Sequence, residues 1–149
     1  MREALEVALL RRAMSSGEGA AMVKGLRKEI TLQRTYVTFE DTESFYASDE
    51  AFHGLIAEYA KQPSVLPEIF RLKDHMDRFR HLMVSAVEDL DTIIKQHIAI
   101  ADAIEAGDEA LAEERMIKHL RRIFDYIDEA RDKFPDYFEQ SAEHARAAR

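Results

Sequence analysis

The stretch QHIAIADAIEAGDEALAEERMIKHL, Gln96 to Leu120, decides the fold. Upstream and within it, Leu90, Ile93, Ile100 and Ile104 recur at the spacing that lines one face of a helix. Gly107-Asp108 then reads as a stop and a restart, Gly supplying the left-handed C-cap and Asp the next N-cap. Beyond it Ala112, Met116, Ile123 and Tyr126 resume the same period. Two helices joined by so short a link fold back on one another. Each inner stripe is interrupted once by a histidine: His97 lies four residues after Ile93, and His119 three after Met116.

Working outward, the same period recurs along the whole chain, and no segment sustains the alternation of a half-buried strand. The fold class expected is all-α. A first helix spans about Arg2 to Met14 and stops at Ser15-Ser16-Gly17; a second runs from about Glu18 to Arg34, and the β-branched pair Val37-Thr38 marks a break. A third starts near Asp41 or Thr42, either able to cap it, and continues to Lys61. Gln62-Pro63-Ser64 turns the chain, with Ser64 as the cap of a fourth helix that carries Pro67 in its first turn and reaches about Val87. The fifth runs from about Asp89 to Ala106, the sixth from Glu109 to about Lys133, and residues 136–149 add a tail or a last short helix. Such short links predict an antiparallel bundle of six to seven helices, with neighbours in sequence packed together.

A chain of 149 residues fits one domain and can enclose a core. With 46% hydrophobic and 34% charged residues, 5 Gly and 3 Pro, the composition is that of a helical globule. The apolar runs are too short to span a membrane and the N-terminus lacks the apolar centre of a signal peptide, so a cytoplasmic location is expected. There is no Cys, so any metal must be held by nitrogen and oxygen. The net charge of −8 excludes a basic nucleic-acid grip of the chain's own.

Four residues on the inner stripes are potential metal ligands. On the third helix Phe45, Phe52, Ile56 and Tyr59 describe one face; Asp49 lies on it, and His53 rises from the next turn. His97 and His119 point inward from the fifth and sixth helices. A single inward His is most often a core residue satisfied by a neighbour. Three of them with a carboxylate, and no Lys or Arg on the same stripes, are hard to satisfy by hydrogen bonds alone, because burying unpaired polar groups costs on the order of several kcal/mol. One divalent cation satisfies all four. The donor set suits Zn first, and also Ni, Mn or Fe. His81 lies off the stripe of the fourth helix, His75 on its edge and His144 in the polar tail, and all three read as ordinary.

The phrases SDEAFHGLIAEYA (Ser48 to Ala60), Gln96 to Leu120, and the opening REALE (Arg2 to Glu6) resemble the FCD domain, the C-terminal effector-binding domain of the FadR subfamily of GntR transcriptional regulators. The resemblance covers about residues 1 to 130. It implies an antiparallel helical bundle around a metal-containing cavity. It carries the family's metal ligands onto Asp49, His53, His97 and His119, and implies a small organic acid as effector, its carboxylate reaching the metal. Arg2 in the opening motif, with Arg78 or Arg80 on the fourth helix, would receive that acid. A homodimer is implied too. Family members often carry Asn-Pro where this chain has Gln62-Pro63. The winged helix-turn-helix domain of a full regulator is not part of this sequence, so DNA would be reached only through such a domain. The alternative reading is a helical-bundle metalloenzyme, a hydrolase or oxidase, on the same Asp/His set. The di-iron form of it needs two Glu-x-x-His pairs, and only Glu50 to His53 has that spacing.

Overall fold

The structure, a computed structural model, describes residues 1–71 and 89–133, the last of these by backbone course alone over most of 123–133. Helix α1 spans Arg2–Met14, α2 Gly19–Thr38 and α3 Thr42–Tyr59. A 3-10 turn, Pro63–Val65, leads into α4, whose described part is 66–71. Helix α5 spans Leu90–Glu105 and α6 Glu109–Lys133. No strand occurs among the described residues, so the chain is all-α.

The packing forms a closed ring: α1 against α3, α3 against α2, α2 against α5, α5 against α6, and α6 back against α1. Cross-helix pairs give the directions. Gly25 approaches Leu55 while Glu29 meets Ser48, so α2 and α3 are antiparallel. Arg27 meets Asp102 and Gln33 meets His97, so α2 and α5 are antiparallel as well. Glu3 pairs with Arg121 and Arg11 with Glu113, which makes α1 and α6 antiparallel. Between α1 and α3 the order is reversed: Glu6 meets His53 and Arg12 Nε donates to the Ala60 carbonyl at 2.7 Å, so these two run parallel. A ring with an odd number of helices cannot alternate all the way round, and the parallel pair is where this one does not. Sequence neighbours α2 and α3, and α5 and α6, pack together as expected; the correction concerns α1, which is flanked by α3 and α6 and not by α2.

Three boundaries differ from the sequence reading. Helix α2 does not break at Val37-Thr38 but continues through it. Thr31, Thr35 and Thr38 each donate their hydroxyl to the carbonyl four residues back, so the β-branched residues are accommodated, and Tyr36 and Val37 pack on the core. The stop comes at Glu40, a non-glycine residue with φ 56°. Helix α3 ends at Tyr59 rather than Lys61, because Lys61 takes φ 57°. Ser64 is not a cap; it lies inside the 3-10 turn. The other turns follow the sequence. Asp41 accepts from the Ser44 amide, Asp89 from that of Thr92, and Asp108 from that of Leu111, while Gly107 adopts φ 69°.

One end of the ring is packed with apolar side chains alone: Leu9, Leu10 and Ala13 of α1, Met22 and Leu26 of α2, Ile56, Ala57 and Ala60 at the α3 terminus, Ile100 and Ile104 of α5, and Ala112 and Met116 of α6 are all buried. Towards the other end buried polar residues join the same inner faces, among core residues such as Phe45, Phe52 and Ile93.

Candidate metal centre

Asp49 and His53 come from consecutive turns of α3, His97 from α5 and His119 from α6. One ligand atom from each lies within 4.8 Å of every other. His53 Nε2 is 3.1 Å from His119 Nε2, His97 Nε2 is 3.4 Å from His119 Nε2, and Asp49 Oδ1 is 3.5 Å from His97 Nε2. The rings are held by packing: Phe52 stacks on His97 at 4.0 Å between centroids, and His53 lies nearly parallel to His119 at 5.2 Å.

The far side of each ring decides its tautomer. His97 Nδ1 is 2.8 Å from Gln33 Oε1, and His119 Nδ1 is 3.0 Å from Gln96 Oε1. An amide oxygen only accepts, so in both rings Nδ1 carries the proton. His53 Nδ1 is 2.5 Å from Glu6 Oε2. By direction alone that nitrogen makes no hydrogen bond, yet the separation is that of a close pair of a ring N–H and a carboxylate. We therefore read it as a bent, charge-assisted hydrogen bond. Burial opposes the charge on Glu6, but His53 and then Arg2, whose Nε lies 2.6 Å from Glu6 Oε1, outweigh it and hold the carboxyl down at about 2.

With the Nδ1 atoms engaged in this way, the three Nε2 atoms face one another, with the Asp49 carboxylate beside them. A proton is a poor remedy at His119. Its residue is half-buried, but its ring is deep enough that desolvation is the main influence, and with His97 and His53 it holds His119 well below the ordinary histidine range against the pull of Asp49. A cation bound about 2.1 Å from each donor sets neighbouring donors roughly 3.0 to 3.4 Å apart, depending on geometry. The three separations given above fall at or near that range and all the donors lie within 4.8 Å of one another, so the set is suited to one small divalent ion. The residues that would hold it are Asp49, His53, His97 and His119.

The structure thus brings together the four residues picked out from the inner stripes. Arg2 reaches their surroundings through Glu6, and its charge is felt at His119. Arg78 and Arg80, and also His75, His81 and His144, lie outside the described residues. Sequence reasoning missed Glu6, Gln33 and Gln96. The signal was present for two of them. Glu6 precedes Leu9, Leu10 and Ala13 on one face, and Gln33 follows Met22, Leu26 and Ile30 on another, so both are polar residues at core positions. Gln96 is off the stripe and half-buried, and only its place beside His97 hints at it.

The site is thus a group of three imidazoles and a carboxylate, able to hold a metal ion, inside a helical bundle. The profile of the FCD domain matches residues 1–122, and the chain belongs to that family. It is 32% identical over 142 residues to an "Uncharacterized HTH-type transcriptional regulator in unstable DNA locus" of Streptomyces ambofaciens, an alignment covering 95% of this chain and 59% of that protein. It is 26% identical over 140 residues to the HTH-type transcriptional repressor RspR of Escherichia coli K12, covering 94% of this chain and 61% of the repressor. The chain therefore spans about three fifths of the length of these relatives. Among the described residues no helix is long and apolar enough to cross a membrane.

Proposed function

We propose that this chain is the effector-binding domain of a GntR-type transcriptional regulator of the FadR subfamily, and that it senses a small organic acid through a bound divalent metal. The observation that carries this is the convergence of three Nε2 lone pairs whose Nδ1 atoms are already committed to Glu6, Gln33 and Gln96. The ion would be Zn first, or Ni, Mn or Fe. It would act as a Lewis acid whose remaining coordination positions receive a carboxylate. Arg2, beside the cluster, supplies positive charge for the same acid, and Arg78 and Arg80 are the further candidates on the fourth helix. The regulator acts as a homodimer in the cytoplasm. It reaches DNA through a winged helix-turn-helix domain, in keeping with the regulators it resembles, and the acid shifts the balance between two arrangements of the helices.

The enzyme reading, a hydrolase or oxidase on the same residues, is weaker on a specific ground. Hydrolysis needs a carboxylate free to take a proton from metal-bound water. Among the described residues Glu6 is the further buried carboxylate beside Asp49, and it is engaged by His53 and Arg2 on both oxygens.

The test is metal analysis with calorimetry against a panel of mono-, di- and tricarboxylic acids. The expected result is one divalent ion per chain, lost in His97→Ala and His119→Ala, and acid binding only by the metal-loaded protein. Unchanged metal content in both variants, or acid binding that survives chelation, would overturn the reading.

A further inference from the structure

The three outer partners of the histidines are not alike. Gln33 and Gln96 are neutral amides, whereas Glu6 is a carboxylate. Glu6 is also the only one supplied by α1, a helix that gives the cluster no ligand atom. It is nearly fully buried, its side chain only 4% exposed, and a carboxylate there is tolerable because both oxygens are occupied, Oε1 by Arg2 and Oε2 by His53. Arg2, Glu6 and His53 therefore form a chain of close polar contacts from the first residues of α1 into the cluster.

We propose that Glu6 is a positioning residue for the metal site: it fixes the His53 ring with Nε2 facing inward and strengthens that nitrogen as a donor, while Arg2 holds Glu6 in place. This rests on the metal-site reading above and deepens it. The physical reason is that a proton shared with a carboxylate leaves more electron density on the imidazole than one shared with an amide. Losing such a partner typically weakens metal binding about 10–100-fold. On this account α1 helps to set metal affinity from outside the coordination sphere, and His53 is the strongest of the three nitrogen donors.

Three measurements on the 149-residue chain test this. Zn titration in competition with a chromophoric chelator compares the wild type with Glu6→Gln, which keeps the size and an acceptor oxygen but removes the charge. The expected result is about a 10–100-fold weaker affinity with one ion still bound, and Co(II) absorption bands that move. Gln96→Glu places a second carboxylate behind His119 at a half-buried position, and in the Glu6→Gln background it recovers part of the loss. Long-range proton–nitrogen spectra of the metal-free protein report the His53 tautomer directly and need only the wild type; a proton on Nδ1 is expected. Equal Zn affinity in wild type and Glu6→Gln, or a metal-free His53 protonated on Nε2, overturns the role of Glu6 while leaving the metal site standing. A wild type that binds no metal overturns both.

Discussion

The two ends of the helical ring are built from the same five helices yet obey opposite rules. At one end Leu10, Met22, Leu26, Ile100 and Met116 are fully buried and, among the described residues, no buried polar side chain joins them. At the other, the continuation of those same faces carries Glu6, Gln33, Asp49, His53 and His97, all buried, with His119 beside them. The dry end gains stability from burial alone. The polar end has rings tied from behind and ring nitrogens facing one another in front, an arrangement that a bound cation would stabilise. The difference suggests a division of labour in which the dry end supplies the stability that the polar end forgoes.

The strongest way to break that comparison is to open the dry end. Leu10→Ala removes a fully buried side chain from between α1 and its neighbours. It should cost about 2–5 kcal/mol, the usual range for a large-to-small change in a close-packed core. Urea unfolding measures this. Metal stoichiometry should stay at one ion per folded chain, because no ligand and no outer partner is touched. A variant that keeps its stability but loses the metal would show that the two ends are not separable.

The next change tests the polar end by removing its polarity. His119→Leu replaces a ligand by an apolar side chain of similar bulk. In the dry end a core substitution costs several kcal/mol; here the metal-free protein should unfold within about 1 kcal/mol of wild type, or be more stable, because replacing a buried polar constellation by well-packed apolar groups is often neutral or better. The metal-dependent gain should disappear. For the wild type that gain is about 2.7 kcal/mol when free metal is a hundredfold above its dissociation constant. Thermal unfolding with and without Zn separates the two. A metal-free His119→Leu protein several kcal/mol less stable than metal-free wild type would mean that the cluster is structural in its own right.

A smaller effect is expected where the turn between α5 and α6 closes the dry end. Gly107 has φ 69°, and a Cβ built there meets nothing within 4 Å, so the strain of Gly107→Ala is of the backbone only. The loss should be about 1 kcal/mol, read from urea unfolding, with metal affinity unchanged.

How much of this was legible in the sequence depends on what kind of signal each element leaves. Periodicity gave the helices and placed Asp49, His53, His97 and His119 on inner faces, because burial and helical spacing are written along one chain segment at a time. Gly107-Asp108 was readable because its two residues have opposite conformational preferences. The end of α2 was not: Thr38 and Val37 look like a break by local preference, and their place in the helix depends on hydroxyl–carbonyl bonds and on packing against the core. The ring order, with α1 parallel to α3, is a property of five helices together and leaves no mark on any one of them. Glu6 and Gln33 did leave a mark, as polar residues on apolar stripes, but only their partners on other helices reveal what they do.

The smallest expected effect lies at the turn that closes the polar end, between α2 and α3. Asp41 caps α3 by accepting from Ser44, whose hydroxyl and then whose amide hold the carboxyl below its ordinary 3.8. A group whose folded-state value is lowered adds stability that is present above the unfolded value and is lost as pH falls through the folded one. Asp41→Ala should therefore lower the urea midpoint at neutral pH by less than Gly107→Ala does, since the cap is exposed to solvent. The gap between variant and wild type should begin to narrow as pH falls past about 3.8 and close as it falls through the lower folded-state value, where the wild-type cap becomes protonated and stops accepting. Asp49 is two turns further along α3, so Zn affinity at neutral pH should stay within a factor of about two. A larger fall would mean that the first turn of α3 helps to aim Asp49, and the polar end would then extend to the turn that closes it.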